Sequence, residues 1–183
     1  MYDVKANKEI IELVGHNQKV SLFKINQEKE ILCSICEENK IILWDLNTFT
    51  ELKVLFPQNF LGNSVKILSF CLSHDCSSLL IHTTNSFSLW DLNFLYPLHI
   101  IKKKISILAA AYDSRKRFIY SLDELSCLEK WSLSQDFLLF KKITDIREFT
   151  TIVNKAYFSP NYQYLLIINS ENITIIEWKK NKI

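Results

Sequence analysis

Apolar and polar positions along the chain form short runs with strand length rather than helical period. Runs of five to eight residues, rich in Val, Ile, Leu, Phe and Tyr, are separated by Asn, Asp, Ser and Lys. The first group is "VSLFKI" (Val20–Ile25), "EILCSIC" (Glu30–Cys36) and "KIILW" (Lys40–Trp44). The second is "VKILSFCL" (Val65–Leu72), "SSLLIH" (Ser77–His82) and "SFSLW" (Ser86–Trp90). The third is "ISILAAAY" (Ile105–Tyr112), "RFIYSL" (Arg117–Leu122) and "CLEKW" (Cys127–Trp131), and the fourth is "VNKAYF" (Val153–Phe158), "YLLIIN" (Tyr164–Asn169) and "ITIIEW" (Ile173–Trp178). β-branched and aromatic enrichment, short length and polar breaks predict strands throughout. The fold class is all-β.

Each group of three runs ends on a tryptophan, and a further strand is expected after it. Trp44, Trp90, Trp131 and Trp178 stand 41 to 47 residues apart. The first two also share their surroundings, "IILWDLN" (Ile41–Asn47) and "FSLWDLN" (Phe87–Asn93). Tyr2-Asp3-Val4 reads as a variant of the same motif. A period near 40–45 residues is that of a four-stranded propeller blade. The chain of 183 residues therefore reads as one domain, with units at about 1–45, 46–91, 92–131 and 132–178.

On these residues the chain resembles the WD40-repeat family of β-propellers. Gly15-His16 stands where that family has its Gly-His pair, and "FSPNYQYLLI" (Phe158–Ile167) is similar to its turn between first and second strands, with Tyr162 in place of glycine. Asp45 and Asp91 follow Trp44 and Trp90, whereas Ser132 and Lys179 follow Trp131 and Trp178. The resemblance implies a buried hydrogen-bonded set of His16, Ser34 and Trp44, with Glu37 or Glu38 at the acid position. It implies a wedge of indole rings at Trp44, Trp90, Trp131 and Trp178, and a non-catalytic scaffold that binds other proteins inside a multi-subunit complex.

Composition and charge narrow the chemistry. Hydrophobic residues make up 48% and charged residues 23%, a globular balance, and the net charge of +2 is too small to demand a nucleic-acid partner. No apolar run approaches the ~20 residues of a membrane span, and a start charged from its third residue is no secretory signal. Five cysteines in no framework spacing fit reduced thiols, so the expected location is cytoplasmic or nuclear. Cys33 and Cys36 have the C-x-x-C spacing, but on a strand residues three apart point to opposite faces, which argues against one metal. Ser73, His74 and Asp75 read as a polar turn, because triad members converge from distant segments. His82 and His99 fall in strands with no acid nearby in sequence. Glycines only at 15 and 62 leave no phosphate loop. Neither an enzyme activity, a cofactor nor a metal is expected.

Loops on a rigid scaffold are where such folds bind. The resemblance places on one side of the disc the segments entering each first strand, with Asn17, Lys19, Asn63, Lys66, Lys103 and Lys104. The turns between second and third strands add Glu37, Glu38, Thr84, Asn85, Asp123, Glu124 and Glu171. These are the expected protein-binding residues. RNA binding through Lys102–Lys104, Arg115–Arg117 and Lys179-Lys180 is the alternative. Four units are few for this family, so the reading favours another chain, identical or different, completing the propeller, with the strand expected over 7–15 closing its last blade.

Overall fold

The computed structural model of the chain describes residues 2–3, 8–9, 11–62, 65–133, 138–145 and 153–177. It comprises two compact units, 1–66 and 67–183. In the first, β1 (Tyr2–Asp3) pairs with β2 (Lys8–Glu9) in a two-stranded ladder, Tyr2 opposite Glu9. A four-stranded antiparallel sheet follows: β3 (Val20–Asn26), β4 (Ile31–Cys36), β5 (Ile41–Asp45) and β6 (Thr50–Leu55), in that order. One helical turn, α1 (Gln58–Leu61), comes after Pro57, an element the strand pattern does not foretell.

The second unit repeats the meander. Its first sheet holds β7 (Ile67–Leu72), β8 (Ser78–Thr83), β9 (Ser86–Asp91) and β10 (Tyr96–Lys102). Its second holds β11 (Ile107–Asp113), β12 (Phe118–Asp123), β13 (Cys127–Leu133) and β14 (Leu138–Asp145). Its third, among the described residues, holds β15 (Lys155–Phe158), β16 (Tyr164–Ile168) and β17 (Ile173–Glu177). Each sheet begins one strand after the start of a sequence unit, because the strand following the tryptophan pairs with the tryptophan's own sheet.

Irregularities repeat with the sheets. The ladder between first and second strands shifts register at Val20/Leu22, Ile67/Ser69 and Ile107/Ala109. The ladder between third and fourth shifts at Leu43/Trp44, Pro97/His99 and Leu128/Glu129. A bulge adds local right-handed twist, so its recurrence gives successive sheets the same twisted shape.

Both faces of a middle strand need cover. β8 and β9 are buried at all but one residue each, which an alternating half-exposed strand never shows. One core joins Leu80, Phe87 and Leu89 to Ile107, Ala110, Tyr112 and Ile119 of the neighbouring sheet. Another joins Ala109, Tyr120, Leu122 and Leu128 to Ala156, Leu165, Ile167 and Ile176. The sheet β15–β17 is covered on that face alone. Its other face presents Tyr157, Ile173 and Ile175 at 52%, 67% and 66% exposure.

Scarcity of glycine leaves its mark on the turns. Among the described residues eight non-glycine residues have positive φ, and they fall at equivalent places. Glu30, Cys76, Arg117 and Tyr162 occupy the turn between first and second strands, at φ 52°, 58°, 56° and 55°. Phe49 and Leu95 take φ 59° and 61° after the third strands. There Asp45 Oδ1 accepts the amides of Asn47 (2.7 Å) and Thr48 (3.2 Å), and Asp91 Oδ1 those of Asn93 (2.6 Å) and Phe94 (3.2 Å). The aspartate of the repeated Trp-Asp-Leu-Asn therefore holds a tight turn. A left-handed side chain costs about 1–2 kcal/mol. Exposed Glu30→Gly is thus expected to raise stability by about 0.5–1 kcal/mol, the gain being reduced by glycine's extra unfolded-state freedom. Urea unfolding checks it, and unchanged stability counts against strain at this turn.

Candidate functional site

The polar groups concentrate where an indole meets a hydroxyl. In the first unit Trp44 Nε1 donates to Ser34 Oγ at 2.8 Å, and His16 Nε2 lies 2.7 Å from the same oxygen. His16 Nδ1 is buried with no partner, while Glu37 and Glu38 are exposed, so the set has three members and no acid. Gly15 is required beside it, because a Cβ there would stand 2.8 Å from Trp44 Cη2. Burial lowers the His16 pKa, Lys40 lowers it further and Glu51 opposes them.

The next sheet makes the same bond from a different strand. Ser34 of β4 lies opposite Ile42 of β5, whereas at the equivalent rung Ile81 of β8 lies opposite Ser88 of β9. The hydroxyl has crossed the ladder, and Trp90 Nε1 donates to Ser88 Oγ at 2.7 Å. His82, buried, is 3.1 Å from Ser69 Oγ through Nδ1 and 2.9 Å from the Ile107 carbonyl through Nε2. Burial lowers its pKa, with the Ile107 bond acting against it. His99 in β10 is lowered by burial first and then by Arg117.

The third sheet replaces the histidine with a lysine. Trp131 Nε1 donates to Ser121 Oγ (3.1 Å), which donates to Glu129 Oε2 (2.9 Å). Lys103 stands four residues before β11, as His16 stands four before β3, and its ammonium sits 2.5 Å from Glu129 Oε2 and 3.0 Å from Asp123 Oδ2. Burial alone would lower the Lys103 pKa, but bonds to Glu129 and Asp123, and their charges, leave it raised. Asp123 Oδ1 meanwhile accepts the amides of Leu125 and Cys127 at 3.1 and 3.0 Å. Asp123, Cys127 and Glu129 place possible metal-binding atoms within 4.8 Å of one another, but the ammonium stands against both carboxylates and makes this an ion-pair core. The clues in the sequence were Lys103 at the histidine's offset and Glu129 two residues before Trp131.

The remaining candidates are placed as follows. Ser73 Oγ donates to Asp75 Oδ1 (2.7 Å) and Ser77 Oγ to the same carboxylate (2.9 Å), closing the β7–β8 turn. The Ser73 bond leads in lowering the Asp75 pKa. Cys33 and Cys36 are buried in β4 and not joined in a disulfide. Asn17, Lys19, Glu37 and Glu38 lie at one end of the β3–β4 ladder, where the Glu37 amide donates to the Lys19 carbonyl at 3.0 Å. In the second unit the Lys103 amide donates to Asn85 O, the Ile107 amide to Thr84 O and the Glu124 amide to Ser106 O, which joins the expected loops. Thr84, Asn85, Lys104, Glu124 and Glu171 are exposed there, and Lys66 is exposed ahead of β7. Lys103 and Asp123 differ from the others: their side chains, 14% and 4% exposed, turn into the ion pair instead of toward solvent. Asn63 and Trp178 lie outside the described residues.

Comparisons with known proteins agree with this architecture. No family model matches the chain. It is 24% identical over 170 residues to the WD repeat-containing protein 53 homolog of Dictyostelium discoideum, covering 91% of the chain and 45% of that protein. The β-propeller domain of Cps50 (Swd1) from Myceliophteria thermophila superposes with TM-score 0.68 at 14% identity, over 91% of this chain and 54% of that one. The RRP9 WD40 repeats give 0.63 at 14%, over 89% and 52%. A chain of the mitotic checkpoint complex gives 0.69 at 20%, over 96% and 56%. The chain thus spans about half the length of the relatives it matches. Successive antiparallel meanders, three of them with a tryptophan in the third strand among the described residues, define a fold of the WD40 β-propeller type. In this the chain is similar to proteins built of WD40 repeats.

Two outcomes follow from these geometries. His16 and His82 bind protons less readily folded than unfolded, so their share of stability is present above about pH 6.5 and lost as pH falls below it. Melting temperature is therefore expected to drop on acidification toward about pH 5, and less steeply in His82→Gln, which carries no titrating ring. Lys103→Met is expected to cost about 3–5 kcal/mol by leaving two buried carboxylates unpaired. Adding Asp123→Asn and Glu129→Gln should recover part of this in urea unfolding, whereas equal costs for the single and triple variants would show that the pair carries no coupling.

Proposed function

We propose that the chain is a non-catalytic scaffold that mediates protein–protein interactions within a multi-subunit intracellular complex. The WD40-type fold supports this, since its neighbours include a chain of the mitotic checkpoint complex. The observation that carries it is the uncovered apolar face of β15–β17. Tyr157, Leu166 and Ile175 share one rung, and Lys155, Ile168 and Ile173 the next rung on the same side, all on the face turned from the core. In β8 and β9 both faces are buried, so the bare face of β15–β17 is a packing surface without its counterpart. The matched relatives hold about twice this chain's length, enough for further sheets. The occupant assigned to this face is a propeller sheet of another chain, a second copy in the purified protein. Asn17, Lys19, Glu37 and Glu38 in the first unit, and Thr84, Asn85, Lys104, Glu124 and Glu171 in the second, supply further, polar contact surfaces through their loops. Burial of Lys103 within the Lys102–Lys104 run weighs against the RNA reading, because an ammonium held by two carboxylates is not offered to phosphate.

Light scattering tests the apolar face. The purified protein is expected to run above its 21.6 kDa monomer mass, and Ile173→Lys with Ile175→Lys to return it to monomer with its circular dichroism intact. A stable, soluble wild-type monomer overturns the assignment. Charge reversal at Glu37, Glu38, Glu124 and Glu171 is expected to release partners recovered from native extract, and retention of every partner counts against the polar surface.

A further inference from the structure

At the opposite end of the same sheets from Thr84, Asn85 and Glu124, the turns between first and second strands of three successive sheets enclose a cavity of about 580 Å³. Leu72 and His74 come from the β7–β8 side, Arg115 and Lys116 from the β11–β12 turn, and Pro160 and Tyr162 from the β15–β16 turn. We propose that this cavity binds a phosphorylated side chain presented on an extended peptide. The inference is independent of the docking faces assigned above.

Charge is the first argument. Arg115 and Lys116 are exposed, and among the described residues neither forms a salt bridge. Of the two acids nearby, Asp113 also lines the cavity but is buried with its carboxylate on the Lys116 amide at 3.2 Å, and Asp75, outside the lining, holds Ser73 and Ser77 in its own turn. Arg115 Nη2 lies 3.4 Å from His74 Nε2, and the His74 amide donates to Ser114 Oγ at 3.3 Å, so the two turns are tied together where Arg115 stands. A guanidinium with an ammonium on the next residue matches the several acceptor oxygens of a phosphoryl group better than a single carboxylate.

Shape is the second. The volume far exceeds a bare phosphate and lies in the range of ligand pockets. Leu72 and Pro160 give it apolar walls for residues flanking the charge. Tyr162 is a fixed wall: its hydroxyl donates to the Tyr112 carbonyl at 2.6 Å and its ring packs 6.2 Å from Tyr120. Burial raises the Tyr162 pKa to about 12, so the phenol stays neutral and keeps that bond. A ring held in this way is a poor platform for stacked bases, and the cations gather at one point instead of tracking along a groove, which favours a peptide over RNA.

Fluorescence anisotropy of the full chain tests the proposal with three probes: a degenerate peptide library carrying a central phosphoserine, its unphosphorylated counterpart, and oligouridine. The phosphorylated library is expected to bind about tenfold more tightly than the unphosphorylated one, a preference typical of charge-assisted bonding. Inorganic phosphate should compete, and Arg115→Gln and Lys116→Gln should each erase most of the preference while leaving circular dichroism and melting unchanged. Equal binding of the two libraries overturns the proposal. So does a preference that survives both variants, or oligouridine binding tighter than the phosphorylated library and lost in those variants.

Discussion

A sheet with apolar side chains on both faces is stable only where a neighbour covers each face, and this requirement organises the whole molecule. It explains why the middle strands β8 and β9 read as nearly unbroken apolar runs instead of alternating ones. It explains why the chain repeats, since one such sheet cannot bury itself and a series can. It also turns the bare face of β15–β17 from a surface detail into a functional statement. At roughly 25 cal/mol per Å² of apolar area, leaving Tyr157, Ile173 and Ile175 in water forfeits stabilisation that the covered sheets obtain.

Within that frame each tryptophan needs one hydroxyl. A buried indole must place its single N–H on an acceptor, because an unmet buried donor costs about 1–3 kcal/mol. Ser34, Ser88 and Ser121 supply it in three successive sheets. The acceptor's strand is free to change, as Ser88 shows, since the two positions of a ladder rung lie close enough for either to reach the ring. Trp131 adds an edge contact to Phe87, ring centres 5.3 Å apart, which ties one sheet to the next.

Much of the fold was legible in the residues because it rests on period and length. Strand runs, the tryptophan spacing and the turn at Asp45 and Asp91 are all local, and local signals survive divergence. The short helix α1 was not foreseen, because four residues after Pro57 carry too few positions for a helical period to show. The ion-pair core was missed for a different reason. Lys103, Asp123 and Glu129 are ordinary surface types in sequence, and only the return of the chain through β12 and β13 brings them to one point. The cavity at Arg115 draws on turns about 40 residues apart, which no window along the chain could join.

The exchange of His16 for Lys103 at equivalent places shows what the position demands. In the first unit the acid residues Glu37 and Glu38 stay in solvent, and burial with Lys40 outweighs the opposing charge of Glu51, so the imidazole is held toward its neutral form. In the third, two carboxylates reach the site, and an ammonium is kept charged despite partial burial. The position thus accepts either a neutral donor–acceptor or a cation, provided that the surrounding acids change with it. Lysine alone in the first unit would bury a charge without a partner, and histidine alone in the third would leave one of the two carboxylates unmet. The two bases also respond at opposite ends of the pH scale: the histidine's share is lost below about pH 6.5, as the ring is forced to charge, and the lysine's above about pH 10, as the ammonium is lost. A chain carrying both keeps its widest stability between those limits, with neither set's loss compensated by the other.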